Sequence, residues 1–295
     1  MWFFVKPEIE KMYIDPDIYA DLLKKNPTEN WLHTIAYTSQ TLPKRIILKD
    51  AGDQNPYHLF FYMLARFYYV DDGESPIYFY YHETPTKYLT HTVFNLLPKR
   101  FVRETQKLPG YEYVDLPGCR WLTDVIDETW IYSYVRDLFK EHWENIPQIK
   151  GKYTYISRNP RECYARKCLN EDKLILPLKK LGFSIYTLEH MTFLEQIRLF
   201  RSSEFITGVH GAGFAWEIFC HPGTVIFEVG RPDFYDKQHH YMQICIMMGL
   251  KHYALVEESS IPSRIEYPTQ TLDDVVIPIQ KYTDCIQHIL SIHNH

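Results

Sequence analysis

The sequence predicts an α/β protein made of two doubly wound domains, and three observations carry that expectation. Strand-like and helix-like runs alternate along the chain, as units with parallel strands and crossover helices require. The alternation is clearest in the second half, where strands and helices succeed one another at short intervals. There a glycine-rich turn also joins a strand to a helix, the place at which open parallel sheets bind ligands. The 295 residues suffice for two domains of medium size. The boundary is expected near Asn145-Ile146-Pro147, giving residues 1–148 and 149–295.

In the first half, residues 31–38 and 44–49 read as strands, because β-branched and aromatic residues lie there between Pro and Asn clusters. Residues 57–70 are almost uniformly apolar and long enough for a buried helix, and 77–81 read as a buried strand. Residues 128–143 place Ile131, Tyr134, Val135, Leu138 and Phe139 on one helical face. In the second half, strands are expected at 152–157, 183–187, 204–207 and 224–229. Helices are expected at 170–181, closed by Gly182, at 192–201, and briefly up to Phe219. The tail carries Ile279, Tyr282, Ile286 and Ile289 at helical spacing after Pro278, an amphipathic helix docked on the body and able to pack back on the first domain.

Composition excludes several classes. A net charge of -5 provides no general field for nucleic acid or an anionic membrane, so any anion must be caught locally. The opening run Met1–Val5 is too short for the core of a signal peptide, and no long uncharged stretch follows, so a cytoplasmic protein without a membrane span is expected. Six cysteines without CxxC or metal-finger spacing read as reduced thiols, in keeping with that compartment. The paired acids Asp71-Asp72 and Asp15-Pro16-Asp17 read as turns rather than metal ligands.

The turn Gly208-Val209-His210-Gly211-Ala212-Gly213 carries the chemistry. Glycines at 211 and 213 let backbone amides approach a ligand, and the helix that follows aims its positive end at the same point. The order differs from the dinucleotide fingerprint, which argues against an oxidoreductase. His210 can donate a hydrogen bond to a phosphate oxygen or a sugar hydroxyl. Ser157 and Arg158, just past a strand, with Arg161 and Arg166, stand where forked hydrogen bonds reach a phosphate. Glu217 and Glu228 could accept from ribose or sugar hydroxyls.

Taken together, Tyr155-Ile156-Ser157-Arg158, Arg166, Asn170-Glu171, Glu195-Gln196-Ile197, Val209 to Gly213 and Phe219 to Glu228 resemble glycosyltransferase family 61 over residues 153–230. Asn55-Pro56-Tyr57-His58 is similar to that family's Asn-x-x-His entry to a helix. The resemblance implies a GT-B-like fold of two Rossmann-like domains with a cleft between them. It also implies an inverting reaction without a required metal or other cofactor, a UDP-sugar donor (xylose first, N-acetylglucosamine next) and a glycan or glycoprotein acceptor. Two positions depart from the pattern: Tyr62 stands where animal and plant members have an acid, and Trp216 where many have Asn or His.

Inverting transfer needs a base for the acceptor hydroxyl and stabilisation of the departing diphosphate. Ser157, Arg158, Arg166, His210 and residues 211–213, with Glu217 nearby, are the expected donor site. His58, by motif position, and Glu83, just past the strand at 77–81, are the candidates for the base. The alternative is a transferase fold that binds nucleotide or glycan without turnover.

Overall fold

The structure, a computed structural model, describes residues 45–48, 55–81, 88–115, 130–158, 166–230, 240–256, 260–261 and 274–293. The strand expected at 31–38, Glu83 and Arg161 lie outside these residues. Two compact units are present, one within residues 20–145 and one within 146–295.

In the first unit, β1 (Arg45–Leu48) leads to a helical segment at 56–69, then β2 (Ile77–Tyr81), α1 (Tyr88–Leu96), β3 (Phe101–Glu104), β4 (Val114–Asp115), α2 (Trp130–Asp137) and α3 (Lys140–Trp143). The strands form one parallel sheet in the order β3-β2-β1-β4, with Ile46 opposite both Phe79 and Val114. The Asn55 side chain accepts from the Tyr57 amide, and Pro56 fills the first turn, so the helical segment starts as a capped helix. It then passes from an α turn through a π turn, Leu59–Met63, into a 3-10 turn, Leu64–Tyr69. Leu59, Phe60, Phe61, Met63, Leu64, Ala65 and Phe67 are all fully buried. His58 and Tyr62 are half-buried and Tyr68 is exposed, a narrow outer stripe beside a broad apolar surface, so packing decides the pitch of the segment.

Two further expectations are refined in this unit. β2 is not buried on both faces: Ile77, Phe79 and Tyr81 are buried and Tyr78 and Tyr80 half-buried. Phe79 meets Phe67 and Phe94 on the covered face, while the Arg45 guanidinium lies between the Tyr78 and Tyr111 rings on the other. The helix expected at 128–143 breaks at Leu138 and Phe139, where the Arg136 carbonyl accepts from both the Phe139 amide and the Trp143 indole. Asp71 and Asp72 do form turns, accepting from the amides of Gly73, Glu74 and Ser75.

The second unit runs β5 (Tyr153–Ile156), α4 (Glu171–Lys180), β6 (Phe183–Tyr186), α5 (Phe193–Ser202), β7 (Phe205–Val209), a 3-10 helix (Ala212–Phe219), β8 (Val225–Gly230), α6 (His240–Met247), β9 (Lys251–Val256), the short pair β10 (Ser260–Ile261) and β11 (Asp274–Val275), and α7 (Ile279–His293). Its main sheet is parallel, in the order β6-β5-β7-β8-β9. Gly182 closes α4 at φ 88°, a left-handed conformation that a side chain would resist. Thr192 and Glu195 form a reciprocal capping box that starts α5. α7 buries Tyr282, Cys285, Ile286 and Ile289 in the same core as Leu174, Phe227 and Leu255. Each apolar side chain so buried contributes about 2 kcal/mol. Tyr282 also stacks on Phe227 and pairs its hydroxyl with Thr207. No helix among the described residues is long and apolar enough to cross a membrane.

Candidate functional site

In chain order the second sheet reads 2-1-3-4-5, so its topological switch point lies between β5 and β7. Crossovers leave in opposite directions there, which opens a crevice at the carboxyl ends of the two strands. β5 ends into Ser157 and Arg158, and β7 ends into His210, Gly211, Ala212 and Gly213. The fold therefore brings together the two segments whose chemistry stood out in the sequence.

Arg158 and Gly211 are in close approach. A methyl group built on Gly211 would sit 2.7 Å from Cζ of Arg158 and closer still to its Nη2. Nη2 also lies 3.4 Å from the His210 carbonyl oxygen. Glycine at 211 thus makes room for a guanidinium over the turn, a role additional to amide access. Gly213 lets the 3-10 helix settle against the sheet, since a methyl there would come 2.9 Å from Cδ1 of Leu188. The Phe214 amide donates to the Gly211 carbonyl and winds the first turn after Ala212.

Arg166 is in the same electrostatic neighbourhood. Burial, and after it repulsion from the Arg158 guanidinium, lower its pKa to about 10, while Glu228 and Tyr241 act the other way. Its backbone is left-handed, at φ 54°. Such a conformation costs a side-chain-bearing residue of order 1 kcal/mol and needs support from its surroundings. Support comes from the next residues: the Lys167 amide donates to Asp274, the Leu169 amide to the Val275 carbonyl, and the Asn170 side chain makes two hydrogen bonds to the backbone of Ile277.

Glu171, in the first turn of α4, organises the loop after β5. Its buried carboxylate accepts from the Tyr155 hydroxyl at 3.0 Å, the Ser157 hydroxyl at 2.8 Å and the Arg158 amide at 2.7 Å. Ser157, expected to serve a donor, gives its proton to Glu171. The sequence signal for Glu171 was its place beside Asn170 at a helix start, but only the fold shows it reaching back to three groups of β5.

His210 is buried, and its Nδ1 lies 3.1 Å from Oε1 of Glu228, while Oε2 of Glu228 lies 2.9 Å from Nε2 of His252. Burial pushes the His210 pKa below its usual value, the carboxylate of Glu228 pulls it back up, and Arg166 and Arg158 push it down again. Burial alone would raise the Glu228 pKa, but attraction and hydrogen bonds from the two imidazoles hold it down at about 2. Glu228 is therefore the ionised centre of a histidine–carboxylate–histidine row crossing β7, β8 and β9. The Tyr241 ring packs against His210, with ring centroids 4.9 Å apart. α6 and β9, which contribute Tyr241 and His252, were not expected from the sequence.

Glu217 lies deep in this unit, fully buried with Cys245 Sγ 3.2 Å from its Oε2. Burial and the Glu228 charge raise its pKa well above the usual carboxylate range. Trp216 is a core residue packed on Phe193 and Phe219. In the first unit, His58 ends the α turn that follows β1, and its ring meets Tyr62 edge-on with centroids 5.0 Å apart. Among the described residues no group of three or more His, Cys, Asp and Glu side chains is arranged to hold a metal ion.

The switch point of this doubly wound domain gathers two arginines, a carboxylate-held histidine and a glycine turn, groups that can give hydrogen bonds to an anion. The family model for glycosyltransferase 61 matches residues 56–227, more than half of the chain, and the chain belongs to that family. A segment of 86 residues is 34% identical to the EGF domain-specific O-linked N-acetylglucosamine transferase of Drosophila melanogaster. The match takes in 28% of this chain and 16% of that protein, so most of the relative lies outside it.

Proposed function

We propose that the protein transfers a sugar from a UDP-sugar to a glycan or glycoprotein acceptor, with inversion and without a metal, and that Arg158, Arg166, His210 and the turn at 211–213 hold the donor diphosphate. The observation that carries this reading is the Arg158 guanidinium lying over Gly211, with Arg166 near enough to be repelled by it. Two guanidiniums at a switch point can both give forked hydrogen bonds to one anion, and a diphosphate offers several oxygens to receive them. That cationic pair is also what would stand in for a divalent ion as the nucleoside diphosphate departs.

N-acetylglucosamine becomes the first candidate for the transferred sugar and xylose the second, because the relative above is named for transfer of N-acetylglucosamine. The base for the acceptor hydroxyl is assigned to His58 or Glu83, on motif position and on place after β2. The Glu217 carboxyl, buried and with its pKa raised by burial and the Glu228 charge, is more readily a structural group than an acceptor for ribose hydroxyls.

The test is calorimetric titration with UDP, in EDTA and again in manganese, on wild type, Arg158→Ala and His210→Ala. Binding in EDTA that Arg158→Ala weakens about 10-fold or more, the worth of one charge-assisted hydrogen bond, supports the assignment. Strict dependence on manganese overturns the metal-free part, and silence in both buffers overturns the UDP donor. Turnover with UDP-N-acetylglucosamine and UDP-xylose then orders the two sugars. Binding of UDP without transfer to any acceptor favours the non-catalytic alternative.

A further inference from the structure

β11 lies beside the segment that follows Arg166, and the two are joined by backbone and side chain. The Lys167 amide donates to the Asp274 carboxylate at 2.9 Å, and the Lys167 carbonyl accepts from the Val275 amide at 2.8 Å. The Leu169 amide donates to the Val275 carbonyl at 2.9 Å, so Cys168 and Val275 pair in a short parallel bridge. On its other edge the same segment is tied to the end of β5, since the Cys168 amide donates to the Arg158 carbonyl at 3.0 Å. Residues 167–169 therefore link the backbone of Arg158 to β11, and Arg166 stands where that link begins. Asp274 takes part through its side chain, so a substitution can remove its contribution and leave the backbone pairing. It lies beyond the family match at 56–227, and no motif in the sequence pointed to it.

We propose that Asp274 is a positioning residue of the donor site: by holding the peptide between Arg166 and Lys167, it keeps the Arg166 side chain directed at the donor diphosphate. This inference rests on the donor-site reading above. A φ of 54° is a conformation that a residue with a Cβ keeps only when its surroundings enforce it. The Lys167 amide belongs to the peptide that follows Arg166, and its bond to a carboxylate is charge-assisted, stronger than an amide–carbonyl contact. Without that carboxylate the peptide is free to turn, and Arg166 relaxes toward the negative φ that side-chain-bearing residues prefer. The change of φ redirects the Cα–Cβ bond, and the guanidinium leaves the neighbourhood of Arg158. On charge alone, a carboxylate in this region would oppose an anionic ligand. Positioning thus predicts a loss of affinity when Asp274 is removed, where simple charge predicts a gain.

UDP is titrated calorimetrically into the full chain as wild type, Asp274→Ala, Asp274→Asn, Arg166→Ala and the double variant Asp274→Ala with Arg166→Ala, with thermal melting of each. Asp274→Ala is expected to bind UDP about 5- to 10-fold more weakly, and Asp274→Asn, which keeps an acceptor oxygen, to stay within about 3-fold of wild type. In the Arg166→Ala background, Asp274→Ala is expected to add no more than about 2-fold, because both act through one guanidinium. Where Arg166→Ala binds too weakly to titrate, Arg166→Lys takes its place in the cycle. Where Asp274→Ala melts too low, Asn170→Ala, which removes the two hydrogen bonds to Ile277 just beyond β11, is carried through the same cycle. A loss of the same size with and without Arg166 is the mark of a merely structural role and overturns the inference. Unchanged or tighter binding in Asp274→Ala overturns it as well, as does an equal loss in Asp274→Asn. Unchanged binding in Arg166→Ala also overturns it, while the Arg158 part of the donor site stands. Absence of UDP binding in wild type overturns the donor-site reading, and this inference with it.

Discussion

Gly211→Ala isolates the close approach at the centre of the site. The backbone at Gly211 is extended, at φ 167° and ψ 174°, so the substitution brings no left-handed strain. The added methyl would instead lie 2.7 Å from Cζ of Arg158, against an ordinary contact near 3.5 to 4.0 Å, so the guanidinium must retreat by about 1 Å. The group displaced is the far end of a flexible side chain, and the folded state loses little: stability is expected to stay within about 1 kcal/mol of wild type. Ligand binding is another matter, because a forked, charge-assisted hydrogen bond depends on both distance and plane. Loss of one such bond is worth about 1.5–3 kcal/mol, which is about a 10- to 100-fold weaker affinity for UDP. Thermal melting measures the first quantity and calorimetry with UDP the second. The double variant Gly211→Ala with Arg158→Ala is expected to bind no worse than Arg158→Ala alone, since both act through the same guanidinium. Wild-type affinity in Gly211→Ala, or full additivity in the double variant, would refute the role given to this contact.

Two further outcomes are expected elsewhere in the unit. Glu171→Ala removes the acceptor of three hydrogen bonds and strands two buried hydroxyls and an amide, a loss of about 3 kcal/mol readable by urea denaturation; a loss under 1 kcal/mol would show that Glu171 does not organise the β5 loop. Glu217→Gln mimics the uncharged carboxyl. Because the folded pKa of Glu217 is raised, its wild-type contribution is complete below the unfolded value near 4.5 and is lost as pH rises toward the folded value. The variant is therefore expected to gain stability over wild type by about 1.4 kcal/mol per pH unit across that window, and a difference that does not change between pH 5 and 7 would refute it.

Much of the second unit could be read in advance because its signals are local. The capping pair Thr192 and Glu195, Gly182 after α4, and the spacing of Tyr282, Ile286 and Ile289 each act within one or two turns of chain, and each element formed where they stand. α6 and β9 went unread. The α6 run is apolar on most sides, and β9 mixes Lys251 and His252 with Tyr253 and Leu255, so neither carries a clean period. In the first unit the helical signal at 57–70 was sound, but its pitch was not legible, since packing from several directions sets the α, π and 3-10 turns.

The residues themselves determined the α/β class, the glycine turn at a strand end and the arginines placed to meet an anion, because periodicity and turn chemistry act between near neighbours. Only the tertiary structure decided what those residues do to one another. Arg158 and Gly211 are 53 positions apart in the chain, and Glu228 and His252 are 24 apart. They come together because the strand order puts β5 beside β7 and then β8 and β9 beyond it. Sequence distance carries no record of strand order, yet strand order sets which charges face each other, and with them the state of His210.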